Sequence, residues 1–107
     1  MSSFDKREEG FEKKFALDSE QKFKAEARRN KLLGLWAAEK LGITGDDAAA
    51  YAREVVAADF EEAGDQDVQN KVVKDFAAKG VAVTAAEVRV KMDELMAAAA
   101  AQVKAGT

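Results

Sequence analysis

The sequence predicts an all-α protein: a four-helix bundle preceded by a short N-terminal segment that is mobile or only conditionally helical. Three observations predict it. Proline is absent from the 107 residues and glycine occurs only seven times, so little interrupts a helix. Apolar residues recur at helical spacing in four stretches, and no stretch shows the period-two alternation of a strand. Capping residues and glycines bound the stretches. The length fits one domain. Residues 1–18 form the leading segment and residues 19–107 the bundle.

The central element is Phe23–Gly42, FKAEARRNKLLGLWAAEKLG. It has no β-branched residue, and its Ala, Leu, Lys, Arg and Glu lose little side-chain freedom in a helix. At about 100° per residue, Ala25, Arg29, Leu32, Leu33, Trp36 and Ala37 share one side. Phe23, Ala27, Gly34, Ala38 and Leu41 share the other. Two apolar sides predict neighbours on both. Gly34 costs about 1 kcal/mol of helix propensity, so its place among small residues predicts close approach of another backbone. Asp18-x-x-Gln21, with Ser19, supplies the N-cap. Gly42 supplies the left-handed C-terminal position.

A second helix follows, capped by Thr44 or Asp46 and acidic in its first turn. Ala48, Ala52, Val55, Val56, Asp59 and Ala63 form its inner face, Tyr51 and Phe60 flank it, and Gly64 ends it. Asp65 caps a third helix with a stripe of Val68, Val72, Val73 and Phe76, stopped by Gly80. Thr84-x-x-Glu87 opens the last helix as a capping box. There Val88, Met92, Leu95, Met96, Ala99 and Val103 recur at helical spacing. The connections are as short as those between neighbouring bundle helices.

The leading segment reads MSSFDKREEGFEKKFALD. Phe4, Phe11 and Phe15 fall within about 40° on a helical wheel, among charges of both signs. Three of the chain's six phenylalanines stand in this highly charged stretch. Gly10 weakens it as a helix, and a helix under about 12 residues is marginal in water. Two fates are open to the phenylalanines: packing on the bundle, or burial in a partner as the segment folds.

Net charge is −3, but it is segregated. Residues 1–31 hold nine basic and seven acidic side chains, residues 42–70 one basic and eight acidic, and residues 71–107 six basic and four acidic. The basic cluster Lys22, Lys24, Arg28, Arg29 and Lys31 is expected to meet the acidic second helix. With a pI near 5.1 and interleaved acids, a nucleic-acid surface is not expected.

Composition excludes much chemistry. Cysteine and histidine are both absent. That removes disulfides, thiolate metal sites, the commonest general base and the imidazole pH switch. The few Ser and Thr residues stand at termini or caps, so no nucleophile is supported and no enzyme is expected. Asp59, Glu61, Glu62, Asp65 and Asp67 lack the ligand pattern of a calcium loop, and no phosphate-binding glycine motif occurs. No cofactor is expected, although weak nucleotide binding at a helix N-terminus stays open. No run approaches the roughly 20 apolar residues of a membrane span, and the N-terminus lacks the apolar core of a signal peptide.

Ala25–Gly42, AEARRNKLLGLWAAEKLG, resembles the signature of the zeta subunit, the F1-ATPase inhibitor family of alphaproteobacteria. The resemblance extends through Tyr51–Gly64 and Val88–Leu95. It starts with Phe4-Asp5-x-Arg7-Glu8 and Phe11-Glu12-x-Lys14-Phe15. It implies a four-helix bundle whose mobile N-terminal region becomes helical and wedges between an alpha and a beta subunit of F1, reaching toward the central gamma rotor. Rotation in the ATP-hydrolysing direction would be blocked. On this chain the inhibitory segment would be residues 1–18. Phe4, Phe11 and Phe15 would be its apolar anchors, and Asp5, Arg7, Glu8, Glu12 and Lys14 its charged contacts. The resemblance implies a cytoplasmic protein, monomeric when free, held at the inner membrane only through the ATP synthase. The alternative is a helical adaptor or nucleotide-sensing module that does not block the motor.

Overall fold

Helix α1 (Ser19–Leu41) starts where its capping box sets it. The Asp18 carboxylate accepts from the Gln21 amide at 2.7 Å, and the Gln21 side chain accepts from the Asp18 amide at 3.2 Å. Gly42, at φ 77°, turns the chain left-handed and lets its N–H reach back to Glu39. Helices α2 (Gly45–Ala58), α3 (Gln66–Ala78) and α4 (Ala85–Lys104) follow. The computed structural model describes residues 17–59 and 65–106, and among them there is no strand.

Helix α1 touches all three others. Helices α2 and α4 do not touch each other, so α1 lies between them, with α3 closing the far side against both. This is the two-sided burial its sequence predicts. Ala25, Leu33 and Ala37 are buried, and so are Gly34 and Ala38. The core joins Leu33, Tyr51, Val55, Val68, Val72, Phe76, Val88 and Met92. Trp36 caps it edge-on to Phe76, with ring centroids 5.7 Å apart at 90°.

Gly34 is the closest helix contact. A Cβ there would stand 2.6 Å from the Ala52 Cα and 3.1 Å from its Cβ. The missing side chain is what lets α2 approach.

Three expectations shift. Helix α2 ends at Ala58 rather than Gly64. The Asp59 amide bonds to the Val56 carbonyl at 3.3 Å, a tightened last turn that closes the helix early. Ala63, Phe60 and Gly64 lie outside the described residues. Phe23 is 57% exposed despite its place on the apolar side. Helix α1 runs about 35 Å and α2 only about 21 Å, so α2, antiparallel and centred on Gly34, stops short of the first turns of α1. Thr44 takes the N-cap position of α2 with extended backbone, but its side chain makes no capping bond.

Candidate functional site

The eight residues that the sequence points to as the inhibitory contact (Phe4, Asp5, Arg7, Glu8, Phe11, Glu12, Lys14 and Phe15) lie outside the described residues. The structure describes the platform from which that segment departs. Asp18 and Gln21 lock the junction, and Glu20 pairs with Lys24 at 3.2 Å on the exposed first turn.

The ion pairs and hydrogen bonds described for the basic cluster run to α4, to Asp65 and along α1. Arg28 bonds Gln102 of α4 at 3.3 Å. Arg29 is 6% exposed and turns inward. Its Nε donates to the Asn30 side-chain oxygen at 3.0 Å, and its Nη1 lies 3.5 Å from Asp65. Asp65 also takes Arg89 Nη1 of α4 at 2.8 Å, and Arg89 donates to Gln69 through Nε and Nη2. So Asp65, expected to cap α3, makes no side-chain cap bond. Two guanidinia outcompete the backbone for its carboxylate, because charge-assisted bonds are the stronger. The bond from Arg89 holds the Asp65 carboxyl below the usual carboxylate range, with Arg29 adding to it. The same bond raises Arg89 further. The node ties the start of α3 to α1 and α4. Sequence reasoning missed it, though Arg29 stood on the stripe of Ala25 and Leu33, where an exposed cation does not belong.

A second polar knot joins α2 to α3. The Tyr51 hydroxyl donates to Asp75 at 2.7 Å, and Lys71 reaches the same oxygen at 3.1 Å while lying over the Tyr51 ring. Burial, then the bond to Asp75, pushes the Tyr51 phenol well above its ordinary value. Lys40 and Lys91 flank the Trp36 ring at 5.4 and 5.7 Å. Lys31 and Arg53 line a hollow between α1 and α2, walled by Ala49, Ala52 and Val56.

Thr84 accepts from the Glu87 amide at 3.1 Å, as its capping role predicts. Among the described residues no group of three or more acidic side chains could hold a metal ion, and no helix is long and apolar enough to cross a membrane. The described surface offers ion pairs, helix faces and a hollow lined by Lys31 and Arg53.

Comparison with known proteins gives the family. The family model of the ATPase inhibitor subunit zeta matches residues 1–102. The chain belongs to that family. A structure solved by solution NMR is 59% identical to this zeta-family chain, covering 79% of it and 96% of the solved chain, with a TM-score of 0.69. No curated protein matches. Membership makes the zeta-family chain a regulator of an ATPase, and the bundle is the fold its sequence predicts. The match spans both the described helices and the segment carrying Phe4 to Phe15.

Proposed function

We propose that this chain inhibits ATP hydrolysis by the F1 sector of ATP synthase, with residues 1–18 as the inhibitory segment. The segment enters a catalytic interface between an alpha and a beta subunit, becomes helical there and stops the gamma rotor in the hydrolysis direction. Phe4, Phe11 and Phe15 leave water in the cleft as its anchors, since a few buried aromatics carry most of an interface's energy. Asp5, Arg7, Glu8, Glu12 and Lys14 set register and on-rate at the rim. The bundle acts as monomeric cargo behind the wedge, cytoplasmic and at the inner membrane only through the motor. No catalytic group and no cofactor take part.

The observation that supports this reading is the family match, which includes the whole leading segment. The test is ATP hydrolysis by cognate F1 titrated with the full-length chain. Hydrolysis should fall in a saturable way, and synthesis by the coupled enzyme should fall less. Undiminished hydrolysis at saturating protein would reject the reading.

A further inference from the structure

No glycine, proline or β-branched residue stands between Phe11 and Leu33. Extending a helix already formed needs no new nucleus, and each added residue gains a bond. That composition would carry α1 upstream, yet α1 starts at Ser19. The Asp18–Gln21 box is what stops it. Asp18 has extended backbone, at ψ 176°. Its carboxylate holds the Gln21 amide at 2.7 Å, and the Gln21 side chain holds the Asp18 amide at 3.2 Å. Both bonds need Asp18 to stay outside the helix. A helix passing through would give the same two amides to the carbonyls of Leu17 and Lys14. The two arrangements therefore compete for the same donors. The apolar pattern breaks at the same place. On one continuous helix, residues seven apart share a face. Phe4, Phe11, Asp18, Ala25 and Leu32 would form one such row, and Phe15, Lys22, Arg29 and Trp36 another. Both rows carry a charge at the joint, and Asp18 and Lys22 are exposed there. A neighbour lying across the joint would have to bury them. The apolar set above the joint is thus separate from the set that α1 buries from Ala25 onward.

We infer that the capping box is an elbow. It ends α1 at Ser19, so that the helix formed by the leading segment on the motor is a separate one, set at its own angle to the bundle. Asp18 and Gln21 are positioning residues, acting through the direction of the segment and not by touching the motor. This rests on the inhibitor reading above and adds the shape of the bound chain: two helices joined at Asp18, not one rod from Phe11 to Leu41. Without the box, the next residue upstream that suits an N-cap is Gly10. The box is therefore what keeps the bundle from templating the segment as an extension of α1.

The test uses full-length chains. Asp18→Ala with Gln21→Ala removes the box, and Asp18→Ser keeps one, because Ser-x-x-Gln is a box of the same kind. Cα chemical shifts of each free chain place the start of α1, and F1 hydrolysis titrations give the half-inhibitory concentration. In the double alanine variant the helix should start upstream of Leu17, with more helical circular dichroism than the parent. A cap that only stabilised its own helix would give the reverse, a frayed first turn and less helix, and that result overturns the inference. A helix that has run through must break at the joint before the segment takes its own angle. The double alanine variant should therefore need roughly fivefold more protein for half inhibition, the worth of one lost cap. The serine variant should match the parent in both readouts. Equal or tighter inhibition by a double alanine variant whose helix has run through would make the bound chain one straight rod, which also overturns the elbow while the inhibitor reading stands. A parent that does not inhibit at all rejects the inhibitor reading itself, whatever the chemical shifts show.

Discussion

Gly34 shows how one missing side chain sets a helix packing distance. Alanine there would gain about 1 kcal/mol of helix propensity. The new Cβ, however, would meet the Ala52 backbone at 2.6 Å, and backbone cannot swing aside. Overpacking of this kind costs about 1–3 kcal/mol, so Gly34→Ala should show a net loss of up to about 2 kcal/mol in urea unfolding. Tyr51 makes a different prediction. Its folded pKa is raised by burial and by Asp75, so the stability it contributes is complete below the unfolded value near 10. That stability drains as pH climbs beyond it. The chain has one tyrosine, so phenolate absorbance reports this group alone. It should stay silent above pH 10 until the bundle unfolds. Tyr51→Phe should abolish that alkaline loss and lower neutral stability by about 1–2 kcal/mol. A normal titration in the folded state would contradict the geometry. Gly34 was readable because a glycine amid helix formers demands a reason. The partner of Arg29 was not, because Asp65 is remote in sequence and a local reading took it as a cap.

Elements were legible where their signals are local. The Asp18-x-x-Gln21 and Thr84-x-x-Glu87 boundaries hold because a cap is decided within four residues. The two apolar sides of α1 map onto α2 and α4 for the same reason: a helical wheel needs only the helix. The end of α2 was misjudged because Ala63 and Gly64 extend the pattern beyond the point where the backbone tightens at Asp59. The leading segment makes its prediction at this scale. If residues 4–15 act as a helix, Gly10 weakens them by about 1 kcal/mol relative to Ala. A segment ordered only on binding carries that cost in its affinity. Gly10→Ala should therefore lower the half-inhibitory concentration by roughly fivefold. Unchanged or weaker inhibition would count against a helical bound state.

At the scale of the molecule, the question is whether the leading segment and the bundle are separable. Every buried apolar side chain among the described residues lies between Ala25 and Ala100. The inter-helix ties, Arg29 and Arg89 on Asp65 and Tyr51 on Asp75, lie wholly within the helices and their caps. Among the described residues the bundle's stabilising contacts thus lie downstream of Asp18, whereas the proposed inhibition has its source upstream. A chain beginning at Ser19 would lose the capping box of α1 along with the segment, and a lost cap alone costs about 1 kcal/mol. Deletion of residues 1–16 keeps Asp18 and avoids that confusion. This shortened chain should match the parent in helical circular dichroism and in melting temperature, while its inhibition of F1 hydrolysis falls to near zero. Added in excess, it should still compete weakly with the parent, through whatever contact the bundle makes. An adaptor working through its helical surface would instead keep full effect after the deletion. A shortened chain that melts much earlier would mean that Phe4, Phe11 and Phe15 belong to the core, and that inhibition must come from a segment first pulled off its own bundle.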